Sequence, residues 1–321
     1  MRLEFLDEIG MLIDSHAHVN FNAYKDDSDE VIRRALDSGV WMINVGSQYT
    51  TSERAVMMAE KYSEGVYAAI GLHPIHLETG LVKIKADKEE IEFKTWEEEF
   101  DYEKYKKLAL SSKKVVAIGE IGLDYYYRPK TKTKQAKFKE KQKQVFIRQF
   151  ELAQELNLPV ILHCRMTHQE LLEILYQEVR PPDIKQFLGG RTSNSLRGVA
   201  HCFTGNLKDA EEYIQMGFYL GFNGIIFKKA EGLPDFEEII KEIPLEKILV
   251  ETDCPYLTPP ISVNQRSYQR EGSGSDRSAS MARNEPLYVK YVAEEIAKIK
   301  NISYEEVENK TTQNAKTLFK I

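Results

Sequence analysis

The sequence is short of cysteine, long apolar runs and surplus positive charge, and each shortage narrows the reading. Three cysteines in 321 residues give no disulfide framework and predict a reducing, cytoplasmic setting. No window approaches 18 consecutive apolar residues, so neither a transmembrane helix nor a membrane partner is expected. The opening Met1-Arg2-Leu3-Glu4-Phe5-Leu6-Asp7-Glu8 carries acids where a secretory apolar segment would stand, which predicts no signal peptide. Lys and Arg number 44 against 50 Asp and Glu, a net charge of −6. That balance gives no global attraction for nucleic acid or anionic lipid. A polyanionic substrate would need a local positive field, from metal ions or clustered basic side chains.

What remains is ample for a folded core, with 42% hydrophobic and 29% charged residues. Eight short runs rich in Val, Ile and Leu occur at 11–18, 40–46, 66–72, 115–120, 159–163, 198–203, 218–223 and 247–253. Several are apolar nearly throughout, as expected of parallel strands covered on both faces. Stretches of helical spacing lie between them. Val31, Ile32, Ala35 and Leu36 form one stripe, Ala55, Val56, Ala59 and Tyr62 another, and Phe146, Phe150 and Ala153 a third. Ala210, Tyr213 and Ile214 mark a shorter helix, and Val289, Val292, Ala293, Ile296 and Ala297 one after the last run. Ser303 followed by Glu306 reads as a capping box opening a terminal helix pair. Eight strands alternating with helices predict an α/β fold, a (β/α)8 TIM-type barrel in a single domain over 1–321. The alternative, an open doubly wound sheet, lacks a GxGxxG after its first strand. Segments 81–107, 180–197 and 261–282 exceed ordinary loop lengths and read as insertions, the first helical in its second half.

Polar residues collect at the carboxyl ends of the apolar runs. His16 and His18 end the first, His73 follows the third, and Glu120 ends the fourth. His163 ends the fifth, His201 falls in the sixth, and Asp253 ends the eighth. In a barrel all these ends meet at the face where such enzymes build active sites. On a strand, side chains two apart point the same way, so His16 and His18 can aim at one ion. The set fits two divalent metal ions: His16, His18 and Asp253 for one, His163 and His201 for the other, with Glu120 bridging. Paired metals about 3.5–4 Å apart polarise a phosphoryl oxygen and activate water. Mg, Mn and Zn all stay open, imidazole favouring Zn or Mn and oxygen ligands favouring Mg. His76 and His168 end no apolar run and read as packing. Cys164, Cys202 and Cys254 each follow a candidate ligand directly and should point to the opposite face, also as packing.

Ordered motifs join these residues. They are Ile13-Asp14-Ser15-His16-Ala17-His18, Gly71-Leu72-His73-Pro74, Gly119-Glu120-Ile121-Gly122-Leu123-Asp124-Tyr125, Pro159-Val160-Ile161-Leu162-His163-Cys164-Arg165, His201-Cys202-Phe203-Thr204-Gly205, Glu251-Thr252-Asp253-Cys254-Pro255-Tyr256-Leu257 and Arg283-Asn284-Glu285-Pro286. In this order they resemble the TatD family of metal-dependent deoxyribonucleases, over about 11–319 apart from the three insertions. The resemblance implies a TIM-type barrel and hydrolysis of DNA phosphodiester bonds, exonucleolytically and on single-stranded or frayed ends. Family ligands fall on His16, His18, Glu120, His163, His201 and Asp253, with Asp253 also helping to deprotonate the attacking water. His73 and Arg165 match positions near the substrate phosphate, and both can donate hydrogen bonds to its oxygens.

Substrate access is where the chain departs from the family pattern. Tyr125, Tyr126 and Tyr127 precede 130–143, a stretch with seven lysines and one acid, Glu140. Aromatics beside positive charge can stack bases and follow a single-stranded backbone; a solvated helix start is the plainer reading. Segment 261–282 carries Arg266, Arg270 and Arg277 against Glu271 and Asp276, and is expected to act as a mobile lid for nucleic acid. Deleting 265–280 should then weaken binding and flatten its salt dependence. Two other functions use the same residues. One is ester or amide hydrolysis, including D-aminoacyl-tRNA deacylation; Glu120 counts mildly against an amidohydrolase, many of which bridge their metals with a carboxylated lysine. The other is a non-catalytic metal-binding scaffold.

Overall fold

The eight apolar runs become eight parallel strands because each is covered on both sides, by neighbouring side chains within and by helices without. A computed structural model describes residues 10–79, 81, 83–84, 93–94, 96–179, 197–260 and 283–321. Its strands in chain order are β1 (Leu12–Ala17), β2 (Val40–Val45), β3 (Val66–Ile70), the short antiparallel pair β4 (Lys83–Ile84) and β5 (Phe93–Lys94), then β6 (Val115–Asp124), β7 (Val160–Arg165), β8 (Gly198–Ala200), β9 (Tyr219–Phe222) and β10 (Ile248–Val250). The main sheet runs β1-β2-β3-β6-β7-β8-β9-β10, every pair parallel. Its two edges meet just past β10. Ala17 bridges Cys254, Asp253 N donates to the His16 carbonyl at 2.9 Å, and Ser15 Oγ donates to the Val250 carbonyl at 3.1 Å. The result is a nearly closed (β/α)8 barrel, as expected.

The helices are α1 (Ser28–Asp37), α2 (Tyr49–Ala59), α3 (Tyr102–Leu110), α4 (Lys132–Leu156), α5 (His168–Val179), α6 (Leu207–Gln215), α7 (Phe236–Glu242), α8 (Val289–Lys300) and α9 (Tyr304–Phe319). The predicted stripes are their buried faces: Val31, Ile32 and Ala35 on α1, Phe146, Phe150 and Ala153 on α4, and all five residues named on α8. Burying each large side chain contributes roughly 1.5–3 kcal/mol. Segment 81–107 runs into α3, whose Tyr105, Leu108 and Ala109 are buried, so its second half is a barrel helix. At Ser303 half of the expected box forms, the hydroxyl accepting from Glu306 N at 3.1 Å, and it opens α9 alone. Segments 180–196 and 261–282, including the expected lid, lie outside the described residues. Among the described residues no helix is long and apolar enough to cross a membrane.

Two apolar layers result. The inner one gathers Ile13, Ile43, Val45, Ala69, Ala117, Ile161, Val199 and Leu249, joined by Ala315, Leu318 and Phe319 of α9. Thr312 Oγ1 donates to the Met11 carbonyl at 2.5 Å and Asn314 Nδ2 to the Ile248 carbonyl at 2.8 Å, which fastens α9 at the strands' amino ends. The opposite end is left as the open mouth.

Candidate metal centre at the barrel mouth

Simple alternation does not aim the histidines inward. Ile13 lies in the inner layer, so a regular strand would send His16, three residues on, outward. A register shift between Asp14 and Ala17 reverses the parity and turns both His16 and His18 into the mouth. Asp14 holds the irregularity: its carboxyl oxygens accept from His16 N at 3.2 Å, Thr252 N at 2.9 Å and Thr252 Oγ1 at 2.5 Å. Asp14 is wholly buried, and burial pushes its carboxyl up to about 8 despite the Thr252 hydrogen bonds.

β6 uses the same device. Ile118 and Ile121, three apart, both face the outer layer, with a register shift between them. Glu120 is thereby turned to the interior. It sits mid-strand rather than at a strand end as the sequence suggested, because pairing resumes through Ile121–Asp124 against Leu162–Arg165. β7 is regular, with Val160, Leu162 and Cys164 outward and His163 inward. His201 follows β8 directly, and Asp253 stands three residues past β10.

These residues converge. The Nε2 atoms of His16 and His18 lie 3.1 Å apart. Glu120 Oε2 is 3.5 Å from the first and 3.9 Å from the second, and Asp253 Oδ1 is 3.9 and 3.4 Å from the same pair. Four donors bound to one ion at about 2.0–2.2 Å would stand at comparable mutual distances. The other oxygen of Glu120, Oε1, faces His163 Nδ1 at 2.6 Å, His73 Nε2 at 3.3 Å and His201 Nε2 at 3.7 Å. His201 stacks on His16 with centroids 3.4 Å apart, and its Nε2 is 3.8 Å from Asp253 Oδ1.

Hydrogen bonds on the far sides of the rings fix what each can offer. His18 Nδ1 donates to the Val45 carbonyl at 2.8 Å, so neutral His18 presents a bare Nε2 lone pair to the centre. His201 Nδ1 faces Glu251 at 2.8 Å, the carboxylate–imidazole pairing that orients metal-binding histidines. His73 is the reverse: its Nδ1 accepts from Ile75 N at 3.0 Å, which leaves a proton on Nε2 and makes the ring a donor at the mouth. His73 therefore lies within a metal-sized group with Glu120 and His163 but is built as a hydrogen-bond donor.

Without an ion, protons balance the carboxylates. Burial would depress His163, but Glu120 and Asp124 hold it up at about 9. Burial likewise opposes charge on His201, which Glu251, Glu120 and Asp253 raise to about 10. His16, wholly buried and beside His201, falls to about 4. Burial works against the ionised forms of Glu120 and Asp253, yet the surrounding histidines hold both below the ordinary carboxylate range.

Of the residues expected at the site, His16, His18, Glu120, His163, His201, Asp253 and His73 come together. Arg165 ends β7 two residues past His163, and its guanidinium contact is with Tyr126, 3.7 Å from the ring centroid. Cys164 and Cys254 pack in the outer layer as expected. Cys202 does not follow the alternation. With φ +45° it has left the strand, and its thiol joins a group with His201 and Asp253 that could hold a metal. Three acids went unassigned in the sequence reading: Asp14, Glu251 and Asp124, the last 3.1 Å from His163 Nε2 through Oδ2. Each lies inside or beside an apolar run, where an acid needs a partner, and that signal was available. The basic stretch is engaged in its second half, while Lys130, Lys132, Lys134 and Lys137 are exposed. Lys139 covers the Tyr125 ring, Lys141 pairs with Glu97 at 2.5 Å, and Lys143 pairs with Glu170.

A family model described as TatD related DNase matches residues 13–320. The chain is 38% identical over 312 residues to the uncharacterized metal-dependent hydrolase YabD of Bacillus subtilis (strain 168), covering 97% of this chain and 100% of that one. It is 29% identical over 311 residues to the 3'-5' ssDNA/RNA exonuclease TatD of Pantoea vagans, covering 97% and 100%. Among solved structures, YJJV, a TatD homologue from Escherichia coli K12, superposes with a TM-score of 0.72 at 27% identity over 98% of this chain and 99% of that one.

Proposed function

The chain belongs to the TatD-related DNase family of metal-dependent hydrolases, and we propose that it hydrolyses phosphodiester bonds of nucleic acid at the barrel mouth, working exonucleolytically on single-stranded or frayed DNA ends. The exonuclease name of the Pantoea vagans relative supports nucleic acid as the substrate class. In this reading His16, His18 and Asp253 hold one divalent ion and His163 with His201 a second, the two oxygens of Glu120 facing both groups. Mg, Mn or Zn bound there would supply Lewis-acid polarisation of the phosphoryl group and acidify water. The observation that carries the proposal is the fixed tautomer of His18, whose lone pair is aimed at a ring of carboxylate and imidazole donors.

The remaining chemistry falls to the chain's own groups. Asp253 stays ionised at neutral pH and accepts the proton of the attacking water. His73 offers its Nε2 proton, and Arg165 its guanidinium edge, to non-bridging phosphate oxygens. The test is cleavage of 3′- or 5′-labelled single-stranded DNA by purified protein with Mg, Mn or Zn, and with chelator. Cleavage that metal restores, and that Glu120→Ala and Asp253→Asn abolish, is expected. A metal-loaded protein inert on DNA but active on D-aminoacyl-tRNA would replace the nuclease reading with ester hydrolysis. Inertness on both, metal bound, would leave a scaffold.

A further inference from the structure

The three tyrosines after β6 divide in the structure. Tyr125 is buried, its ring covered by Lys139 at 3.8 Å. Tyr126 turns the other way and is 51% exposed, although one of its faces lies against the Arg165 guanidinium at 3.7 Å. The Tyr127 ring stands perpendicular to it, with centroids 4.9 Å apart at 89°. A single exposed ring is ordinary by itself; what sets Tyr126 apart is its Arg165 partner and its tie to the site.

The ring is also held in place relative to the chemistry. Asp124 Oδ1 accepts the backbone N–H groups of Tyr126 at 2.9 Å and Tyr127 at 3.0 Å, while Oδ2 of the same carboxylate faces His163 Nε2 at 3.1 Å. One side chain thus connects the tyrosine backbone to a residue of the metal-sized cluster. Arg165, two residues past His163 on β7, completes the connection from the neighbouring strand. A guanidinium placed over an aromatic ring can still direct its edge N–H groups at a phosphate. A phosphate donor and an aromatic face that share one stack match the chemistry of a nucleotide, with backbone on one side and base on the other.

We propose that the open face of Tyr126 stacks the nucleobase next to the scissile phosphodiester, with Arg165 backing the ring and contacting the adjacent phosphate. The proposal rests on the nuclease reading and narrows it: the substrate is recognised by an unpaired base as well as by its backbone. Stacking tolerates any base, so sequence preference should be weak. An internal base of a duplex has both faces covered, so an unpaired end should be preferred at this position.

The experiment measures binding and cleavage separately with the metal-loaded full chain. Fluorescein-labelled single-stranded oligonucleotides are compared with copies carrying one abasic residue at each of the four terminal positions in turn. With wild-type protein, one abasic position is expected to weaken affinity and kcat/KM by about 10- to 100-fold. In Tyr126→Ala that base-to-abasic ratio should collapse towards one, while Tyr126→Phe, which keeps the ring, should retain it. Cleavage with the ratio intact in Tyr126→Ala would overturn the platform and leave the nuclease reading standing. Binding with a Tyr126-dependent ratio but no cleavage would leave the platform and overturn the nuclease. Failure of the wild type to bind any oligonucleotide would overturn both.

Discussion

At the scale of single residues, the candidate ligands are held by acids outside the candidate ligand set. Asp124 and Glu251 each bring a carboxylate to the far nitrogen of a histidine whose near side faces Glu120, and Glu251 also accepts from Cys202 N at 2.7 Å and Asn223 Nδ2 at 3.0 Å. Asp124→Asn and Glu251→Gln should each lower metal affinity or turnover by about 10- to 100-fold with an unchanged circular dichroism spectrum, and metal titration checks it. Metal binding should also release protons. His163 and His201, at about 9 and 10, are charged at pH 7 and must become neutral to ligate. Loading the chelated protein in weak buffer with an indicator dye should release up to two protons per chain; no acidification would argue against these two as ligands. The histidines themselves were legible because their spacing and positions after apolar runs are written in the chain. Their supporting acids were harder to place: the apolar runs around Asp14 and Glu251 say that each needs a partner, but not which, because the partner lies more than 200 residues away for Asp14 and 50 for Glu251.

At the scale of elements, the barrel was legible and its irregularities were not. Eight buried strands leave apolar runs that any reading finds, and α1, α4 and α8 show their buried stripes at helical spacing. The register shifts in β1 and β6 leave no such mark, because an apolar run reads alike whether or not its alternation slips by one. Yet those slips decide that His16 and Glu120 face the mouth. The closing role of α9 was equally hidden, since it depends on which helix end meets the barrel floor. Phe319→Ala, which empties part of that floor, should cost about 3–5 kcal/mol in urea unfolding. Ser303→Ala removes only the cap and should cost about 1 kcal/mol. Equal costs would mean that α9 is held by its own start rather than by packing under the barrel.

At the scale of the whole molecule, stability and function are coupled through charge taken out of water. Away from the centre, His168 is buried against Tyr213 and Phe203, and burial lowers it to about 4. Its folded value lies below its unfolded one, so its contribution is present above about pH 6.5 and is lost as pH falls towards 4. At pH 5 the loss should be about 2 kcal/mol relative to pH 7, read from urea midpoints in chelator, and His168→Phe should remove that part of the slope. At the mouth, by contrast, the same burial concentrates imidazoles and carboxylates that only a cation or bound protons can reconcile. A manganese-soaked crystal measured at the manganese absorption edge tests this most directly. The account predicts one anomalous peak among His16, His18, Glu120 and Asp253, and a second among Glu120, His163 and His201. Full manganese occupancy elsewhere, with no peak inside this ring, would contradict it.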